Sequence, residues 1–186
     1  MADRQEISCD CGAVELELEG RPFGVIECLC ASCREAGARI ESLPGAPPAL
    51  GEWGASRFVL YRKDRVACRK GAEHVRAHRL TPDSPTRRLV ATCCNSAMLL
   101  DFTKGHWASL YAPRWPDAGR PKAEMRIQTG SLPDPSVLPG DMPNYRGFGW
   151  RFPLRMLGAF AAMGFRSPDL PFGEQPLELP AEGAVR

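Results

Sequence analysis

Eight cysteines are distributed unevenly along the 186 residues. Cys9 and Cys11 are one residue apart, Cys28, Cys30 and Cys33 fall within one short segment, Cys93 and Cys94 are adjacent, and Cys68 stands alone. A disulfide framework spaces its cysteines out, whereas chelation brings two or three thiolates into a single turn. Soft thiolates in a tetrahedral array suit zinc, and chelating turns joined by the fold are an ordinary way to build that array. Cys9, Cys11, Cys28, Cys30, Cys33, Cys93 and Cys94 are therefore the candidate metal ligands, for one or two Zn2+ per chain. Thiols that act only as small buried hydrophobes explain Cys68 but not the clusters.

The elements that must position these residues are short. Val14 to Glu19 alternates apolar and acidic residues, the period of a half-buried strand, and Gly20 and Pro22 end it. Gly24 to Leu29 reads as a second strand, and Gly12 permits a tight turn whose N–H groups face the thiolates. Arg34 to Arg39 suits one or two helical turns. A loop with Pro44, Pro47 and Pro48 follows, in which Gly51 and Gly54 flank Trp53; such loops border ligand pockets or simply connect elements. Arg57 to Tyr61, Arg65 to Cys68, Val75 to Leu80, Arg87 to Thr92, Met98 to Phe102 and Trp107 to Tyr111 are strands at intervals of about ten residues, a mainly β layout. Pro153 to Met163 reads as a C-terminal helix, with Gly164 past its end and Leu154, Leu157, Phe160 and Ala161 on the face expected to dock on the β core. The expected organisation is a zinc-binding β domain over 1–125, an irregular proline-rich segment plus helix over 126–166, and an extended or disordered tail over 167–186.

Composition narrows the function. Hydrophobic residues make up 44% of the chain, enough for a core, and the formal net charge is only +2. That balance gives no general pull toward nucleic acid or an anionic membrane. The basic run from Arg62 to Lys70 reads as a solvated strand edge. The N-terminus is polar without an apolar leader, and no stretch approaches the roughly 18 apolar residues of a membrane span, so a cytoplasmic protein is expected. His74 and His78 lie in an alternating segment and are expected as exposed strand side chains. Ser96 and Asp101 lack the histidine spacing of a hydrolase.

The order Cys9-x-Cys11-Gly12-Ala13, then Cys28-x-Cys30-x-x-Cys33-Arg34, then Gly37-Ala38 resembles the signature of the glutathione-dependent formaldehyde-activating enzyme family, which includes centromere protein V. The likeness spans about residues 7 to 111. It implies a β-tent fold of small curled antiparallel sheets around zinc sites. It also implies that Cys9 and Cys11, with a late motif, hold a structural zinc, and that Cys28, Cys30 and Cys33 hold a catalytic zinc that takes the glutathione thiolate. The late motif departs from the family's Cys-x-x-Cys-Gly: Ala91 stands where its first cysteine would be and Asn95 where its glycine would be, which makes Cys93 the replacement ligand. Adjacent residues of a regular strand face opposite ways, so Cys93 and Cys94 join Cys9 and Cys11 only if the chain bends there. Asn95 tolerates a left-handed conformation and offers that bend. With it, the central site keeps an open position; with a regular strand, one of the pair closes the central site.

The function that follows from the resemblance is a zinc-dependent carbon–sulfur lyase acting on a glutathione adduct of a small aldehyde such as formaldehyde. Its substrates would be a small-molecule thiol and an aldehyde, with no nucleic-acid or membrane partner. Arg34 would orient a thiolate or a glutathione carboxylate, or else form a surface salt bridge. The alternative is a non-catalytic zinc-binding module in which every metal is structural.

Overall fold

The computed structural model describes residues 3–179. The strict alternation of Glu15–Glu19 (β2) buries Leu16 and Leu18 completely and turns the glutamates outward. β2 lies between β1 (Arg4–Ser8) and β5 (Val66–Lys70) in an antiparallel three-stranded sheet. The outward row carries cross-strand ion pairs: Glu19 with Arg65 at 2.7 Å, Glu15 with Lys70 at 3.3 Å, and Glu17 with Arg69. β1 escapes detection by sequence because Ile7 is its one buried residue.

The second sheet has seven strands in the order β10-β3-β4-β9-β8-β7-β6. These are β3 (Gly24–Cys28), β4 (Ser56–Arg62), β6 (Val75–His78), β7 (Thr86–Ala91), β8 (Ser96–Phe102), β9 (Trp107–Tyr111) and β10 (Met125–Ile127). All neighbours are antiparallel except β10 and β3, which run parallel. β10 crosses the boundary expected at 125/126 and anchors the following segment, since Arg126 donates to Glu27 at 2.9 Å. Ile26, Phe58 and Tyr111 stand in register on one face, and Val25, Val59 and Leu110 on the other. The first face forms a core with Ile40 of α1 (Ala31–Glu41), and the second forms a core with Leu16 and Leu18 of the small sheet. Covered on both sides, β3 is buried at every residue. Burying a large aliphatic side chain in this way is worth about 1.5–3 kcal/mol.

α1 is longer than the one or two turns expected, because it starts at Cys30 rather than after Cys33. Its Gly37 sits against Leu50, where a Cβ would lie 2.4 Å from a leucine methyl carbon, so a side chain there would force Leu50 to move. Glu41 accepts from the N–H groups of Ala49 and Leu50 at 2.7 and 2.8 Å and pins the proline-rich loop to the helix.

The C-terminal helix, α2, covers Arg151–Ala162 and buries Met156 and Ala159. Of the face expected to dock, Phe160 packs but Leu154 and Leu157 are each 58% exposed, so the docked face is turned toward Met156 and Ala159. A helix apolar nearly all round fits the 3.6-residue period on more than one face. The neighbour decides: His106 Nε2 lies 2.8 Å from the Met156 carbonyl, and its ring stacks on Phe160 at 4.6 Å. Over 167–179 the tail is extended, one of the two forms expected, and part of it packs on the sheet; residues 180–186 lie outside the described residues. Leu170 and Phe172 are buried, Leu177 N–H donates to Ala77 at 2.9 Å, and Glu174 binds Arg87 and Arg79, each at 2.7 Å. Among the described residues, no helix is long and apolar enough to cross a membrane.

Two expectations for charged residues are corrected. His78 is buried, with the charges of Arg39 and Glu35 of α1 acting on it, whereas His74 is exposed as expected. Lys63, read as part of a solvated edge, is buried and pairs with Asp101 at 2.8 Å, which also receives Arg87 at 2.8 Å. Removing one partner of a buried ion pair leaves an uncompensated charge. Asp101→Ala is expected to lower stability by roughly 3–5 kcal/mol in urea denaturation.

Candidate metal centre

Cys9 and Cys11 sit in the turn between β1 and β2. Gly12 closes it, with φ +72 and its N–H on the Cys9 carbonyl at 3.0 Å. Val14 N–H donates to Cys9 Sγ at 3.2 Å, as a chelating turn requires. Cys93 and Cys94 occupy the turn between β7 and β8, not a regular strand. Asn95 there has φ +54, and its side-chain amide donates to the Pro44 carbonyl at 2.9 Å. The bend expected at Asn95 is present, and both adjacent thiols turn to the N-terminal pair. Cys9 Sγ lies 3.6 Å from Cys11 Sγ and 3.7 Å from Cys93 Sγ, and all four sulfurs fall within 4.8 Å of one another. Tetrahedral zinc–thiolate bonds of about 2.3 Å place sulfurs about 3.8 Å apart, so these spacings fit a four-thiolate site.

The second cluster joins Cys28 at the end of β3 to Cys30 and Cys33 at the start of α1, again with sulfurs within 4.8 Å. Cys30 is the helix N-cap, and its sulfur accepts from Cys33 N–H at 3.4 Å and contacts Ser32 Oγ at 3.3 Å. Positive helix ends favour a thiolate at that place. Cys28 and Cys33 are buried, and Cys30 is partly exposed. Among the described residues no other histidine, cysteine, aspartate or glutamate joins this group. It therefore offers three ligands where the other cluster offers four.

Without a metal, one thiol in each cluster is favoured as the thiolate and its neighbours are held protonated. Hydrogen bonds from Cys28 and Cys33 bring Cys30 down to about 2. Cys28 is pushed up by the same contacts, while Cys33, although the Cys28 thiol lowers it, rises to about 12 through Cys30 and burial. In the other cluster burial raises Cys94, but Ser96 and the Cys11 N–H outweigh this and bring it to about 6. Burial raises Cys9 and Cys93. A bound divalent ion displaces the protons that remain, so metal affinity falls with falling pH.

Sequence reasoning missed the cations beside these thiols. Arg88 of β7 is 1% exposed, donates to the Ser32 carbonyl at 3.1 Å, and acts on Cys33 through its charge. Among the described residues it has no carboxylate partner, and its Nε has no hydrogen-bond partner. Tyr111, also fully buried near the cluster, has an unpartnered hydroxyl and a pKa raised by burial and then by Cys33. The only hint of Arg88 in the sequence was an arginine inside an apolar strand. Arg34, the expected orienting residue, instead points to the Ser131 carbonyl at 3.5 Å, beside Gly54. Cys68 joins neither cluster; its thiol donates to the Lys70 carbonyl at 3.3 Å.

Fold and site together define a mainly β protein with two preassembled thiol clusters, each able to hold a metal ion. The chain belongs to DUF6151, a family of unknown function, whose profile matches residues 1–110 and so includes all eight cysteines. No curated protein matches it. A crystal structure of a Rhodobacter sphaeroides protein is similar at 14% identity and a TM-score of 0.45, over 75% of this chain and 99% of that one.

Two substitutions test the geometry. Asn95→Gly is expected to keep the four-sulfur site, whereas Asn95→Val, forced into a left-handed conformation, should lose about 1–2 kcal/mol in thermal unfolding. Cys11→Ser should lower melting temperature and soluble yield more than Cys30→Ser, because the Cys9/Cys11 cluster closes the longer loop.

Proposed function

We propose that both clusters bind zinc and that the three-cysteine cluster is the working site of a carbon–sulfur lyase acting on the glutathione adduct of a small aldehyde such as formaldehyde. On this reading the two sheets are the β-tent implied by the resemblance to the glutathione-dependent formaldehyde-activating enzymes. The observation that carries the proposal is the asymmetry between the clusters: Cys9, Cys11, Cys93 and Cys94 complete a tetrahedron, and Cys28, Cys30 and Cys33 do not. Four-ligand sites are structural, and three-ligand sites keep a position for an incoming group.

Zinc in the three-cysteine site would take a thiol as its thiolate and lower the barrier to carbon–sulfur bond formation or cleavage. Cys30, the partly exposed member, marks the side from which a thiol would enter. Cys28 and Cys33 fix the other two ligand positions from the buried side. Arg88 balances the single negative charge of three thiolates around a divalent ion, and the apolar surroundings from Phe58 and Tyr111 keep water away. The departure of the late motif from the family's does not weaken this site, since its cysteines serve the other cluster.

The purified protein should contain about two zinc ions per chain, bound through sulfur. In the cobalt-substituted protein, millimolar glutathione should change the thiolate-to-metal bands, and Cys30→Ser should remove that change. A spectrum indifferent to glutathione would favour the non-catalytic zinc module instead.

A further inference from the structure

A cavity of about 610 Å3 opens at the end of the seven-stranded sheet, and none of the three central cysteines lines it. That volume is in the range of small-molecule sites. Its wall combines the proline-rich loop, the segment after β9 and the segment around β10. Four arginines face it, and their partners differ. Arg126 is committed to Glu27 at 2.9 Å and Asp141 at 2.7 Å, and Arg57 to Glu27 at 2.7 Å. Arg120 donates to the Trp115 carbonyl at 3.4 Å and, among the described residues, has one carboxylate partner, Asp117, which is 90% exposed and a weak hold. Arg114 has no carboxylate partner among the described residues, although it is 8% exposed. Its Nη1 donates to Ser96 Oγ at 2.9 Å, and its Nε has no hydrogen-bond partner. Burial lowers its pKa, the charges of Asp10, Cys94 and Cys9 raise it, and that of Arg120 lowers it, so an exposed carboxylate and the neighbouring thiols act on it together with a second guanidinium. Asp10 and Glu52 also line the cavity but are exposed. Asp10 acts on Arg114 through its charge without forming an ion pair, so among the described residues the buried charged group of this wall that lacks a salt bridge is the Arg114 guanidinium.

The opposite contribution is apolar. Trp53 has φ +55, followed by Gly54 at φ +72. A bulky residue rarely adopts that conformation, and such strain collects at binding sites. The indole lines the cavity, where the Arg126 guanidinium covers its ring at 5.2 Å. Pro48 and Pro113 add further apolar wall.

We propose that this cavity binds a small organic anion, with its carboxylate or phosphate held by Arg114 and Arg120 and its flat apolar body against Trp53. A buried guanidinium without a counter-ion is costly, and an oxyanion in the cavity satisfies it with charge-assisted hydrogen bonds. The site is separate from the three-cysteine cluster and does not depend on the lyase reading.

The test is calorimetric titration of the metal-loaded full chain with benzoate, phenyl phosphate and uncharged benzamide. Saturable binding of benzoate or phenyl phosphate is expected, and which of the two binds more tightly distinguishes carboxylate from phosphate; benzamide should bind neither as tightly nor to saturation. Arg120→Ala, which leaves the Arg114–Ser96 contact in place, should weaken the anion at least about tenfold, equivalent to about 1.4 kcal/mol. Trp53→Ala should weaken it too, and both variants should keep the cobalt spectrum of the cysteine clusters. Cys30→Ser should leave anion binding unchanged. No saturable binding of either anion at millimolar concentration would overturn the proposal and leave Arg114 as a counter-charge of the adjoining cysteine cluster. Equal binding of benzamide, undiminished binding in both Arg120→Ala and Trp53→Ala, or loss of binding in Cys30→Ser would overturn it as well.

Discussion

Four sulfurs from two tight turns meet between the sheets, and much of the chain is a loop closed at that point. The turns are far apart in sequence, Cys9 before β2 and Cys93 after β7, and their sulfurs stand 3.7 Å apart. Around the meeting point the backbone is tied as well: Asp10 N–H donates to Ser96 Oγ at 3.0 Å, and Ser96 Oγ lies 3.1 Å from Cys94 Sγ. Holding such a loop closed costs chain entropy, which a metal ion shared by the four sulfurs would offset. The small sheet, the edge of the large sheet and the core between them all depend on this closure.

Electrostatics follow the same plan at both clusters. Each has one buried arginine with no carboxylate partner among the described residues, Arg88 at the three-cysteine cluster and Arg114 at the four-cysteine cluster. Elsewhere the buried cations are matched directly, as Lys63 and Arg87 are by Asp101. A guanidinium beside thiols is tolerable where the thiols carry negative charge, as thiolates around a divalent ion would; at Arg114 the cluster supplies only part of that charge, since the same side chain also lines the cavity. The same two arginines therefore give the cysteine geometry a reason to persist that small hydrophobic thiols would not provide.

The cavity draws on different parts of the chain. Three of its four arginines, Arg114, Arg120 and Arg126, lie after residue 110, beyond the family match, while Arg57, Trp53, Pro47 and Pro48 lie inside it. Alternation along β3 keeps the two regions apart: Cys28 enters the core under α1, and Glu27 turns the other way to meet Arg57 and Arg126. One strand thus serves a thiol site on one face and a polar wall on the other. Gly37 lets the loop that carries Trp53 lie close on α1, so this wall is fixed to the same helix that presents Cys30 and Cys33.

The seven clustered cysteines, the alternation of β2 and most of the strands could be read from sequence, because thiol spacing and a two-residue apolar period are local signals. The left-handed bend at Asn95 was also local, since asparagine adopts it readily. Tertiary structure alone decided the rest. Which cluster Cys93 and Cys94 join depends on where two distant turns meet. That Leu154 and Leu157 stay exposed depends on His106 meeting the other face of α2. Lys63, His78 and Arg88 look like ordinary surface residues in sequence, and become buried only when sheet pairing covers them. The packed tail and the cavity between separate loops carry no periodic signal, because their contacts join residues far apart in the chain. Spacing along the chain thus determined which side chains could bind metal, and the pairing of distant segments determined which of them stand together and what charge surrounds them.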